Sequence, residues 1–198
     1  PTFWDYKSFG STRQSNAELA GLVGKGIFQN PKPTKTIQAL VDIIGVDHGL
    51  VLDFFAGSGT TAHAILERNR TRGTSTNFIL VQLPEPLDPA NRDQRAAADL
   101  CDELGVTRSI SELTKHRLRR VIADLGSEGS DDRGFRTFKL DSSNIETWDP
   151  DREDVDLSLE EVIEHLKGDR SEQDILFELL LKLGLELTVP IETLEIAG

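Results

Sequence analysis

The sequence has no methionine, one cysteine and one tyrosine among 198 residues. The single cysteine, Cys101, excludes an internal disulfide and any cysteine-rich metal site. The reducing cytosol suits such usage. No stretch approaches the length of a membrane span, and no signal peptide is visible. Positive charge is scarce: 22 Lys and Arg stand against 34 Asp and Glu, a net charge of -12. That balance argues against this chain alone gripping a nucleic-acid backbone, which needs a positive surface. It leaves DNA open as the substrate of a larger protein. The missing methionine extends to position 1 and points to a chain processed or cut from something longer.

What the chain does have is organised around Val51-Leu52-Asp53-Phe54-Phe55-Ala56-Gly57-Ser58-Gly59-Thr60-Thr61. The run from Val51 to Phe55 is apolar except for Asp53, which suits a parallel strand covered on both faces. Gly57 and Gly59 allow a sharp turn and a close backbone approach. Thr60 and Thr61 then open a helix whose first N–H groups point back toward the turn. An acid at a strand tip, two glycines and a helix N-terminus make a small-molecule site at the carboxyl edge of a sheet. Gly57-x-Gly59-x-x-Ala62 formally fits a dinucleotide fingerprint. It equally fits an S-adenosylmethionine site, with Asp53 facing the ammonium of the methionine moiety, or a plain strand-to-helix turn.

Asn77 to Leu83 reads as a second buried strand, completing a right-handed βαβ unit. Its tip offers Gln82 and Glu85 as competing ribose contacts. His63 reads as a surface or packing residue rather than a catalyst. Upstream, Ser15-x-x-Glu18 fits a helix cap. Phe28-Gln29-Asn30-Pro31-Lys32-Pro33 is a rigid loop that can present an aromatic face and a cation. Thr34 caps a helix with a buried stripe of Ile37, Leu40, Val41 and Ile44. Downstream, Cys101 sits on the stripe Ala97, Leu100, Cys101, Leu104 and reads as core filler. Ser109-x-x-Glu112 caps a helix bearing the one basic cluster, in which Arg117, Arg119 and Arg120 are candidates for phosphate contact, or a solvated face. Phe135 to Leu140 reads as a strand. Ser158-x-x-Glu161 opens another helix, and 174–183 is apolar on more than one face, which requires burial or a second subunit. Leu185, Leu187 and Val189 alternate as a short strand.

Phe28-x-x-Pro31-Lys32-Pro33 preceding Asp53-x-Phe55-x-Gly57-x-Gly59-Thr60-Thr61 resembles motifs X and I of amino-group DNA methyltransferases of the permuted beta class. The segments Ile110 to Val121, Gly134 to Leu140, Ser143-Asn144, Trp148, Asp174 to Lys182 and Pro190-Ile191-Glu192 resemble the modification subunit of type III restriction–modification systems. The resemblance implies an α/β fold: a partial Rossmann-like S-adenosyl-L-methionine-dependent methyltransferase sheet with helices on both faces, plus a smaller α+β C-terminal appendage. It implies a cofactor-binding part at 1–125, a loop, strand and acidic connector at 126–157, and an appendage for dimer or subunit contact at 158–198. Phe28, Pro31 and Lys32 would lie around the methionine end. Asp53, Phe55, Gly57 and Gly59 would form the main cofactor wall, Thr60 and Thr61 would cap the carboxylate, and Glu85 would reach the ribose. The family transfers methyl groups to adenine N6 in DNA, acts as dimers, and joins a restriction subunit with helicase and nuclease activity.

The family's catalytic tetrapeptide, Asp- or Asn-Pro-Pro followed by Tyr or Phe, is missing. It stacks on and holds the flipped base. No Pro-Pro pair occurs, the one tyrosine is Tyr6, and Asn30-Pro31-Lys32-Pro33 lacks both the adjacent proline and the aromatic. The expectation is that this motif and the target-recognition region lie upstream, so that the chain alone does not catalyse. The competing reading is a non-catalytic interaction module, a degenerate nucleotide-binding fold that dimerises through the leucine-rich helix. A nicotinamide-dependent oxidoreductase is disfavoured by Gln82 where an acid is needed and by the Pro-Lys-Pro loop.

Overall fold

The computed structural model describes residues 4–126, 134–145, 166–192 and 194. The chain divides into two units, Pro1–Gly134 and Phe135–Gly198. The first unit is built on one parallel pair, β1 (His48–Asp53) and β2 (Ser75–Leu80), in a register that sets Val51 beside Phe78, Leu52 beside Ile79 and Asp53 beside Leu80. The crossover between them is α4 (Thr60–Arg72), ended by Gly73 in the left-handed conformation. This is the expected strand–helix–strand unit, since a parallel pair cannot be closed by a hairpin.

Side chains alternate across the pair. Phe78 packs against Leu66 of α4 and against Val121 and Leu125 of α6 (Ile110–Leu125). Leu50, Leu52 and Ile79 point the other way and stand 57%, 48% and 46% exposed. The expectation of strands buried on both faces, with helices on both sides of the sheet, is therefore corrected: among the described residues one face is covered and the other is bare. An apolar strand is buried twice over only when neighbours exist on both sides. The same reason exposes part of the stripe on α3 (Thr34–Ile44), where Val41 is buried but Ile44 is 72% exposed.

A second layer joins α2 (Thr12–Val23), α5 (Arg95–Glu103) and α6. Leu19, Val23, Ile27, Ala97, Ala98, Cys101 and Leu113 form its core, and the Cys101 thiol is fully buried, a filler as expected. The entry segment is packed: α1 (Tyr6–Phe9) is capped by Asp5, Trp4 stacks on Phe9 at 4.4 Å, and Thr36 donates to the Phe9 carbonyl at 2.6 Å. Arg68 ties α4 to α3, donating to Asp42 at 2.8 Å, and to the loop before β1, donating to the Val46 carbonyl at 3.1 Å.

Two helix starts differ from expectation. α2 begins at Ser11, whose hydroxyl accepts from the Gln14 N–H, so Ser15 lies inside the helix and bonds the Pro31 carbonyl at 2.6 Å. α3 is preceded by Pro33 at its cap position, and Thr34 donates instead to Glu18 Oε2 at 3.0 Å. At α6, Ser109 caps as expected while Glu112 turns away from the cap to pair with Lys115.

In the second unit α7 (Glu172–Lys182) opens with a full capping box between Ser171 and Asp174. Glu178 is its anchor. Lys182, Ser143 and the Asn144 N–H hold its carboxyl down to about 2. Residues 135–140 and 185–189 form no strand, contrary to expectation, because neither finds a ladder partner. Phe138 instead meets Phe177 edge-on at 4.9 Å. The apolar helix is not buried here: Leu181 is 61% and Leu183 73% exposed. The helix expected from Ser158 lies outside the described residues apart from Leu166, which bridges Ile145.

Candidate functional site

The chain leaves β1 at Asp53 and turns through residues 54–59 into α4. The turn is held by main-chain bonds: Val81 N–H to the Asp53 carbonyl at 2.8 Å, Ala56 N–H to the Val81 carbonyl at 3.1 Å, and Gly59 N–H to the Ala56 carbonyl at 2.7 Å. Asp53 sits at the strand tip as expected. Its Oδ2 accepts from the Thr61 hydroxyl at 2.6 Å and its Oδ1 from the Phe55 N–H at 3.0 Å. These bonds fix the carboxylate, which has lone pairs left for a cationic ligand. Phe55 stands beside it, 87% exposed. α4 starts from Gly59 at φ 75° with no side-chain cap, so its first N–H groups lie at a terminus suited to an anionic group.

The two glycines have different reasons. Gly57 adopts φ 50°, and its N–H donates to Gln82 Oε1 at 2.7 Å. The close approach at Gly59 is to the protein itself: a Cβ there would stand 3.0 Å from Thr114 Cγ2 and 3.6 Å from Leu118 Cδ2 on α6. Thr60 and Thr61 are buried, and their hydroxyls are engaged by Arg117 and Asp53 respectively. Any ligand contact from them is therefore through the backbone. Gln82 uses its carbonyl oxygen inside the turn, while the Glu85 side chain is exposed beyond Pro84 and its carbonyl accepts from the Ile110 N–H at 3.1 Å.

The Phe28–Pro33 loop is not a flat wall. Asn30 adopts φ 50°, Pro31 is buried, and Lys32 is exposed. Phe28 packs on the α2–α5–α6 core and lines a cleft of about 540 Å³ with Asn16, Lys25 and Asn30, a lining that includes none of Asp53 to Thr61. α3, which follows the loop, is tied to α4 by Gln38, which donates to the Ala64 carbonyl and to Glu67.

Behind the turn lies a buried charged cluster that sequence reasoning did not assemble. Arg117 is 1% exposed. Its NH1 donates to the Ser58 carbonyl at 3.0 Å, the Ser58 hydroxyl at 2.9 Å and the Thr60 hydroxyl at 3.1 Å. Its NH2 lies 2.9 Å from His63 Nδ1 and 3.5 Å from Glu18 Oε1. Next to it Thr114 donates to the Gly57 carbonyl at 2.5 Å. The expectation of a phosphate contact is thus corrected for Arg117, which is sealed in the core; Arg119 and Arg120 do face solvent. Burial pushes the Arg117 guanidinium down to about 10, still charged at neutral pH. Burial also pushes the His63 imidazole down, but Glu18 and Glu67 outweigh it and hold its pKa above 6.5. His63 is accordingly a packing residue, and not a surface one. Among the described residues no cluster could hold a metal ion, and no helix is long and apolar enough to cross a membrane.

Residues 2–85 match a family model described as DNA methylase. That span holds every cofactor contact expected from the sequence, Phe28 through Glu85. The chain is 34% identical over 198 residues to the type III restriction–modification enzyme EcoPI Mod subunit of Escherichia phage P1, an alignment covering 98% of this chain and 28% of that protein. It is 29% identical over 150 residues to the StyLTI Mod subunit of Salmonella typhimurium, covering 74% of this chain and 21% of that one. It is 32% identical over 120 residues to the type II methyltransferase M.KpnI of Klebsiella pneumoniae, covering 61% and 26%. The chain thus spans about a quarter of the length of the curated relatives it matches.

Proposed function

We propose, from the premise that this chain carries a DNA methylase domain and is a partial homologue of type III restriction–modification Mod subunits, that its β1–α4 corner is the S-adenosylmethionine site of a DNA adenine-N6 methyltransferase. The observation that carries this is Asp53, fixed at a strand tip by Thr61 and Phe55 N–H, facing an uncapped helix N-terminus beside an exposed aromatic ring. The fit is chemical. A carboxylate suits the ammonium of the methionine moiety, the first N–H groups of α4 suit its carboxylate, and Phe55 offers a flat apolar surface to the nucleoside. When bound, the cofactor supplies an electrophilic methyl group on a sulfonium. By the resemblance alone Phe28, Pro31 and Lys32 belong to the methionine end, although the cleft that Phe28 lines includes none of Asp53 to Thr61, and Glu85 belongs to the ribose with Gln82 as competitor. Gly57, Gly59, Thr60 and Thr61 shape the turn and present its backbone.

The adenine amine that would accept the methyl group is held by the catalytic tetrapeptide, which this chain lacks, so the chain is expected to bind cofactor and not to turn over alone. DNA and a restriction subunit are the partners of the whole enzyme. The bare face at Leu50, Leu52 and Ile79 is where further helices of a methyltransferase fold would pack.

Titration of labelled protein with adenosylmethionine and with NAD tests the reading. Amide shifts at 55–61 are expected with adenosylmethionine at Kd of roughly 1 mM or tighter, about −4 kcal/mol or better, and none with NAD. Asp53→Ala is expected to weaken binding about tenfold or more, the scale of a charge-assisted contact. No response at these amides to millimolar adenosylmethionine sinks the proposal.

The exposed leucines of α7 favour a second role, contact with another copy of the chain. Light scattering over a concentration series is expected to show self-association that Leu181→Lys weakens. A chain that stays monomeric throughout removes that role.

A further inference from the structure

We propose that Arg117 is a positioning residue for the cofactor turn, and that the turn's shape is coupled through it to the proton on His63. The proposal rests on the reading of the β1–α4 corner as a cofactor site. It goes beyond that reading because Arg117 lies outside residues 2–85, on a helix that does not contribute to the expected cofactor wall.

The turn from Gly57 to Thr60 is held at the Gly57 N–H by Gln82 and, on its other side, by two residues of α6. Thr114 takes the Gly57 carbonyl and Arg117 takes both polar groups of Ser58 and the Thr60 hydroxyl. These bonds orient the peptide units whose other sides form the mouth of the site. A single amine cannot replace them, because three acceptors are met by one arm of a planar fork while the other arm reaches His63.

That other arm is where the proton enters. His63 Nδ1 has two neighbours, Arg117 NH2 at 2.9 Å and Glu18 Oε1 at 3.0 Å, and Glu18 Oε1 has no well-directed hydrogen bond as it stands. A neutral ring with its proton on Nε2, toward Glu67 at 3.1 Å, accepts at Nδ1 from Arg117. An imidazolium donates at Nδ1 to Glu18 and no longer accepts from Arg117, whose free arm is left with Glu18 Oε1 at 3.5 Å. Protonation therefore exchanges the partner of His63 and releases or engages the free arm of Arg117. The charged and polar groups facing the ring come from every element packed on it: Glu18 from α2, Thr34 through Glu18 and Gln38 through Glu67 from α3, Glu67 from α4 and Arg117 from α6. With both carboxylates ionised and both bases protonated the cluster is neutral, which is why it tolerates burial.

The test follows the His63 ring and the 57–61 amides by NMR across pH, in wild type, Arg117→Lys and His63→Gln, each also titrated with adenosylmethionine. In wild type the loop amides are expected to titrate with the midpoint of the ring. In Arg117→Lys the ring still titrates, the loop amides no longer follow it, and cofactor affinity falls about tenfold. In His63→Gln the loop transition is gone. A merely structural arginine would lower stability without uncoupling the two titrations. Should Arg117→Lys fail to fold, His63→Gln, which leaves the arginine in place, carries the comparison. Loop amides that ignore pH while the wild-type ring titrates overturn the proposal, as does an Arg117→Lys protein whose loop and affinity match wild type. Coupled titration in a wild-type chain that binds no adenosylmethionine leaves the positioning role standing and removes the cofactor reading instead.

Discussion

Gly59→Ala is expected to destabilise the first unit by about 2–5 kcal/mol in denaturant unfolding, from two additive causes. The first is backbone: Gly59 sits at φ 75°, where an L-residue costs about 1–2 kcal/mol. The second is steric. The new methyl would stand 3.0 Å from Thr114 Cγ2, and Thr114 is not free to yield, because its one O–H is shared between the Gly57 and Ile110 carbonyls. Moving α6 away to make room also pulls Arg117 off Ser58. Overpacking of this kind costs about 1–3 kcal/mol. Gly73→Ala separates the two causes. Gly73 has φ 67° at the other end of the same helix, and a Cβ there meets nothing within 4 Å. It should show the backbone cost alone. Equal losses for the two variants would mean that α6 does not press on the turn.

The role of Gly59 shows what could be read from the sequence and what could not. The strand, the turn, α4 and the second strand follow from local patterns: apolar runs, glycines and a helix of helix-forming residues. So does the placing of Asp53 at a strand tip. What Gly59 approaches was not local. A glycine beside an expected ligand site reads as room for the ligand, yet here α6, more than fifty residues along, fills the space. Arg117 was misread for a related reason. Five basic residues between 115 and 120 look like one exposed patch. Spacing held the contrary signal: Leu113, Arg117, Val121 and Leu125 recur every four residues, so Arg117 occupies a core-facing row between apolar neighbours. Its partners Glu18 and His63 lie on helices whose mutual packing no short-range pattern encodes. The bare sheet face was illegible for the opposite reason. An apolar strand reports what it would bury against, not whether that neighbour is in the chain.

Arg117→Met should show the largest loss, about 3–5 kcal/mol, because removing one member of a buried ionic cluster strands the others. Three hydrogen bonds go with it, to the Ser58 carbonyl, the Ser58 hydroxyl and the Thr60 hydroxyl, and a fourth, to His63, when that ring is neutral. The size of the loss should depend on pH, in a direction the cluster fixes. In wild type the His63 pKa is raised in the folded state, so its contribution is fully present below 6.5 and is lost as pH rises through the folded value. Glu67 is lowered, chiefly by His63, so its contribution is present above 4.5 and fades only as pH falls toward its folded value. Between those limits both act together. Arg117 is one of the groups that push the His63 pKa down. Without it the folded His63 holds its proton more tightly, so the variant regains more than wild type does when the ring protonates. The deficit should therefore be larger at about pH 8 than at about pH 6. Glu18→Gln in the same background should cost less than it does in wild type, since the methionine has already removed part of what Glu18 pairs with; contacting charges of this kind couple by about 0.5–3 kcal/mol. Denaturant unfolding of the four proteins of that cycle at both pH values decides it. A deficit that is flat with pH, or single losses that simply add, would mean that Arg117, His63 and Glu18 are neighbours in the fold without acting as one cluster.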